Sequence, residues 1–117
     1  MKEVSREIEY NGVTYSLVFN LNVMQVIQGE YETLGKWGDL TDGKARDGEP
    51  DIKALIFGVT EMLNEGIDIK NEKNGTQEPY FTHKQVGRIL TDIGVRELTE
   101  TVNDVVIESA GNDEKNA

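Results

Sequence analysis

The stretch that decides the fold is Val4-Ser5-Arg6-Glu7-Ile8-Glu9-Tyr10-Asn11-Gly12-Val13-Thr14-Tyr15-Ser16-Leu17-Val18-Phe19-Asn20-Leu21-Asn22-Val23-Met24. Two alternating runs flank Asn11-Gly12, a dipeptide that favours a type I′ turn because both central residues take positive φ. A two-residue turn leaves one register. Tyr10 faces Val13, Ile8 faces Tyr15, Arg6 faces Leu17 and Val4 faces Phe19. The hairpin, expected over 3–19, then has an apolar face (Val4, Ile8, Tyr10, Val13, Tyr15, Leu17, Phe19) and a polar one. An isolated hairpin is marginal in water, so the apolar face requires a cover.

The rest of the chain offers helices as that cover. Asn20 is a natural N-cap, and Val23, Met24, Ile27, Tyr31 and Leu34 follow at helical spacing, predicting a helix over about 21–34. Gly35 and Gly38 mark its end, and residues 38–49, rich in Gly and Asp, read as a loop. Pro50 suits a first helical turn. Ile52, Leu55, Ile56, Val59, Met62 and Leu63 form a stripe, Asn64-Glu65-Gly66 closes it, and a helix over about 50–65 results. Gly58 inside it suggests a close helix–helix approach. Residues 67–80 are polar, contain Gly75 and Pro79, and read as a second long loop. Thr82-His83-Lys84-Gln85 is a capping box opening a helix over about 83–93, with Val86, Ile89, Leu90 and Ile93 buried and Gly94 ending it. Leu98, Val102, Val105 and Val106 predict a last helix over about 95–109. The expectation is an α+β, mainly α domain over 1–110: a two-stranded antiparallel hairpin packed on about four helices, with a flexible acidic tail over 111–117.

Composition narrows the function. Of 117 residues, 12 are Lys or Arg and 22 are Asp or Glu, a formal charge of -10. Such a surface repels nucleic-acid backbones and anionic membranes and favours solubility. No stretch approaches the roughly 20 apolar residues of a membrane span. The first ten residues lack the apolar segment of a signal peptide. The sequon Asn74-Gly75-Thr76 is therefore read as loop chemistry. The chain has no cysteine, which excludes disulfides, a thiol nucleophile and thiolate metal sites.

Catalytic and ligand motifs fail one at a time. Gly38-Asp39-Leu40-Thr41-Asp42-Gly43-Lys44-Ala45 has the glycines and lysine of a phosphate loop, but Ala45 stands where a hydroxyl must reach magnesium. Asp39 and Asp42 would also repel phosphates. A calcium loop built on Gly75 would begin at the cation Lys70. His83, the single histidine, falls in a first helical turn, where a positive charge opposes the helix dipole. Ser5, Ser16 and Ser109 stand in no nucleophile-elbow sequence. The expectation is no enzyme, no cofactor and no metal. Trp37, in Gly35-Lys36-Trp37-Gly38, carries two readings: a plug for a small core, or an exposed anchor for a partner.

The run Tyr10–Gly43 resembles the opening of tail assembly chaperones of long-tailed bacteriophages and prophages. Those begin with a hairpin of the form N-G-x-x-Y-x-L-x-F, then L-N-x-M, then I-x-x-x-Y-x-T-L-x-x-W-G-x-L-T-D. The matching residues are Asn11, Gly12, Tyr15, Leu17, Phe19, Leu21, Asn22, Met24, Ile27, Tyr31, Leu34, Trp37, Gly38, Leu40, Thr41 and Asp42. Residues 51–69 and 81–90 also look like the family's later helices, so the likeness spans roughly residues 5 to 110. The resemblance implies a protein that binds the tape measure protein, a long helical chain, and keeps it soluble until the tail tube forms around it. The tail tube protein is a further implied partner, the host cytoplasm the implied location, and absence from the mature virion the implied fate. Two alternatives stay open: a minor tail or head–tail joining protein retained in the virion, and a small acidic regulatory binding protein. The expected partner surface lies around Met24, Tyr31 and Trp37, where an apolar helix stripe meets a glycine-rich segment.

Overall fold

The computed structural model describes the backbone of residues 1–116 and every side chain except those of Ala45 and residues 111–116. Over 111–116, expected as a flexible tail after a helix ending near 109, the backbone continues the last helix, and Ala117 lies outside the described residues. The chain begins with strands β1 (Val4–Tyr10) and β2 (Val13–Phe19). Helices α1 (Leu21–Tyr31), α2 (Leu34–Thr41), α3 (Ile52–Asn74), α4 (His83–Ile93) and α5 (Val95–Asn116) follow, with a short 3-10 turn at Lys44–Arg46 between α2 and α3. It is an α+β fold, mainly α.

The hairpin takes the register the turn dictates. Val4 pairs with Phe19, Arg6 with Leu17, Ile8 with Tyr15 and Tyr10 with Val13, and Asn11 and Gly12 both have positive φ. Leu17 and Phe19 are fully buried. Val18, on the face expected to be polar, is buried too. The reason is α3, which runs along the outer edge of β2 and covers residues of both faces. In this ladder the Ser16 carbonyl points away from β1, and it points at Gly66 of α3. A Cβ added at Gly66 would stand 2.5 Å from that oxygen. On the far side, α5 contacts β1 and β2. Arg6 pairs with Glu108, and the Ser109 hydroxyl donates to the Lys2 carbonyl at 2.8 Å.

Capping explains where the helices start. The Asn20 side chain accepts from the amides of Asn22 and Val23 at 3.1 and 3.2 Å. Its amide nitrogen donates to Glu65 of α3 at 2.7 Å, and Asn22 donates to the same carboxylate at 3.1 Å. An anion therefore sits at the start of α1, where the helix dipole favours it. Thr82 and Gln85 form the reciprocal capping box of α4, and Gly94 ends that helix with φ +109.

Three expectations are corrected. The first helix stops at Tyr31 rather than Leu34, because Glu32 turns out of the helix with φ 71. The segment read as a loop over 38–49 contains the second half of α2. Thr33 caps it by accepting from the Lys36 amide at 3.0 Å, and burial of Trp37 and Thr41 outweighs the cost of Gly35 and Gly38. The helix expected over 50–65 starts after Pro50, with Asp51 as cap accepting from the Ala54 amide at 3.1 Å. It continues through Gly66 to Asn74, ending at Gly75 with φ 66. Gly66 is a contact point with β2, not a stop. The stretch 67–80, expected as loop, is therefore half helix.

One core results. Val4, Leu17 and Phe19 meet Val23 and Ile27 of α1, Trp37 of α2, Leu55, Val59 and Met62 of α3, Val86 and Ile89 of α4, and Leu98 and Val102 of α5. Helix α3 touches β2, α1, α2 and α4.

Three glycine-to-alanine variants test these contacts by urea or thermal unfolding. Gly66→Ala drives a methyl into a strand carbonyl, and Gly58→Ala drives one to 2.1 Å from the Trp37 ring. Each is expected to destabilise by about 2–4 kcal/mol. Gly29→Ala meets nothing within 4 Å and is expected to stabilise by about 0.5–1 kcal/mol, the helix propensity difference.

Candidate binding site

Two of the concavities on the described surface bear on binding. The more apolar has a volume of about 490 Å³ and lies where the end of α1 meets the starts of α3 and α4. Glu30 and Tyr31 come from α1, Ile52, Lys53, Ile56 and Phe57 from α3, and His83 from α4. The Tyr31 and Phe57 rings meet edge to face, centroids 5.5 Å apart at 76°. Phe57 and His83 meet similarly at 6.1 Å and 68°. Ile52 is 45% exposed at the mouth. An aliphatic or aromatic side chain entering here would find ring edges and branched aliphatics on three sides.

The surroundings are negative. The Tyr31 hydroxyl is pushed above the ordinary phenol range, first by burial and then by the charges of Asp51 and Glu30. Glu61, one helical turn beyond Phe57, has its carboxyl pushed above the ordinary carboxylate range. Burial is the main cause and Glu65 adds to it, while His83 opposes it. Both shifts report the same setting, partly dry and anionic. Such a setting favours a guest that brings an apolar group together with hydrogen-bond donors or cations.

Of the residues expected to form the partner surface, Tyr31 lines this concavity. Met24 lies two turns earlier on the same stripe of α1, half-buried against the core, and is not part of the lining. Trp37 is elsewhere. It is 1% exposed, its indole N–H donates to the Ala54 carbonyl at 2.9 Å, and its ring fills the space left by Gly58. It is a core plug with no free surface for a partner. Sequence reasoning placed Ile52 and Ile56 in a core stripe and His83 in a first helical turn, and left Phe57 out. The adjacent pair Ile56-Phe57 was the available signal, since it widens the stripe beyond what one core face needs.

The phosphate-loop likeness also dissolves. Gly38–Thr41 is helical, and the Thr41 hydroxyl is turned inward to the Gly38 carbonyl at 3.1 Å. Among the described residues, no group of three or more His, Cys, Asp or Glu is placed to hold a metal ion, and no helix is long and apolar enough to cross a membrane. Comparison of the chain with protein-family models, curated proteins and solved structures gave no match.

Two variants separate the roles assigned here. Trp37→Phe removes the bond to Ala54 and part of the ring, and should cost about 2–4 kcal/mol in a urea titration. Glu61→Gln should act through pH. Because the folded protein holds the Glu61 proton more tightly than the unfolded chain, stability falls as pH rises from the ordinary value of 4.5 through the raised one. The Gln variant lacks that loss. It should be more stable than the parent at neutral pH, and the advantage should disappear below about pH 4.

Proposed function

We propose that this protein is a holding chaperone of the tail assembly type, which binds the tape measure protein and keeps it soluble before the tail tube closes around it. The observation that carries the reading is the apolar concavity of Tyr31, Ile52, Ile56 and Phe57 set among Glu30, Asp51 and Glu61. An amphipathic helix laid across the ends of α1, α3 and α4 would bury apolar side chains there, the usual helix-in-groove mode. The carboxylates would steer basic residues of the client and would weaken with salt.

The resemblance of residues 5 to 110 to phage tail assembly chaperones supports the same reading and supplies the client. Work by holding requires no nucleophile, base or metal. It takes place in the host cytoplasm, and the protein is shed before the virion is complete. The tail tube protein is the second partner this role would bring near.

Co-expression with the long tape measure protein of its own gene neighbourhood, followed by pull-down at moderate salt, tests the proposal. The parent chain should retain the client. Ile52→Glu, at an exposed position that the core does not use, should keep the fold by circular dichroism and reduce retention by about tenfold. Failure of the parent chain to retain the client sinks the reading. Mass spectrometry of purified particles should find the protein absent; its presence would favour a retained tail component.

A further inference from the structure

Beyond Gly66, which packs on β2, helix α3 buries no side chain through Asn74, yet it runs on through a polar sequence. What holds it lies across its outer face. Asn64 and Asn71 stand two turns apart, roughly 10.5 Å along the axis. The Asn64 carboxamide donates to the Phe81 carbonyl at 3.1 Å and accepts the Phe81 N–H at 2.8 Å. The Asn71 carboxamide donates to the Glu78 carbonyl at 3.1 Å and accepts the Glu78 N–H at 2.9 Å. Each side-chain amide thus stands in for a neighbouring strand, satisfying both main-chain groups of one residue. Three residues of extended, proline-type chain span roughly 9.3 Å, close to two helical turns, and Pro79 sits inside that interval. Side chains add to the clasp: Lys70 pairs with Glu78 at 3.0 Å, the Tyr80 hydroxyl donates to Asp68, and the Phe81 ring meets Tyr15 edge-on at 5.0 Å.

We infer that residues 76–81 are a detachable strap clasped by an asparagine ladder, and that the strap and the distal part of α3 open together while the core stays closed. Two features separate this unit from the body. Residues 72–80 are all exposed, and the half-buried Phe81 ties the strap to the hairpin through Tyr15. Helix α4 keeps its start without the strap, because Thr82 and Gln85 cap it reciprocally. The strap is also one wall of the second concavity, a groove of about 610 Å³ whose opposite wall is the outer edge of β2. Opening the clasp uncovers Tyr15, Leu63 and Phe81 and turns that groove into an open apolar face.

Hydrogen exchange read by mass spectrometry on the full chain tests the inference. In the double variant Asn64→Ala, Asn71→Ala, amides of 67–81 should exchange faster by about thirtyfold, while those of 55–62 and 86–90 keep the parent's rates. Fluorescence of the dye anilinonaphthalene sulfonate should rise as the groove opens. Equal loss of protection across the core would overturn the inference, as would no change over 67–81, or a flat dye signal. If the double variant does not fold, Asn71→Ala alone decides: faster exchange confined to 70–78 supports the clasp, and any other pattern overturns it.

Discussion

The indole of Trp37 fills the volume that Gly58 leaves by having no side chain, and its N–H closes on the carbonyl of Ala54 one turn earlier. This contact locks α2 against the first half of α3 and so fixes the bend between α1 and α2. With the bend fixed, the end of α1 is brought beside the start of α3, and Tyr31 meets Phe57. The binding concavity is a consequence of that meeting. A side chain with no exposure thus shapes a surface that it does not touch. Loss of the ring would remove stability and site together, which is why a milder change at Trp37 and a surface change at Ile52 report on different things.

Helix α3 has two halves governed by different physics. Up to Leu63 it is the post around which the core condenses, with Ala54, Leu55, Val59, Met62 and Leu63 all buried. Beyond the contact of Gly66 with β2 packing gives way to hydrogen bonds, through the clasp of Asn64 and Asn71 and the ion pair of Lys70. Net hydrogen-bond contributions are about 1 kcal/mol each, far below the worth of a buried aliphatic side chain. The distal half therefore stands on a much smaller margin than the proximal one. The hairpin shows a related division. The outer edge of β2 is closed by α3 at Gly66, whereas the edge of β1 carries the exposed acids Glu7 and Glu9, a composition that discourages pairing with another strand.

Local rules made much of this legible. The Asn-Gly turn and alternation determine the hairpin register, and the caps at Asn20 and Thr82 are short-range chemistry that reads directly from residue order. Helix α2 was not legible, because glycine content argues against helix at that position and only the tertiary burial of Trp37 reverses it. The distal half of α3 was not legible for the opposite reason. Its residues 67–74 have no apolar period, and its support comes from a segment that folds back over it. The candidate site draws on α1, α3 and α4, so Tyr31 could be noticed as a residue but not joined to Ile52, Phe57 and His83. Trp37 stood open between plug and anchor until the position of Gly58 in space closed the question.

The residues that carry the resemblance to tail assembly chaperones divide along the same lines. Asn11, Gly12, Leu17 and Phe19 build the hairpin. Ile27, Trp37 and Thr41 are buried and hold α1 and α2 in place. Of the residues matched between Asn11 and Asp42, Tyr31 alone lines the apolar concavity. In this stretch the resemblance rests on the frame that presents the concavity more than on its lining. The mouth of the concavity is supplied by α3 and α4 at Ile52, Lys53 and His83, where exchange of one exposed side chain would alter the opening without touching the core. If the proposed function holds, a client would be chosen at the mouth of the concavity, while the shape of the concavity depends on the buried tryptophan behind it.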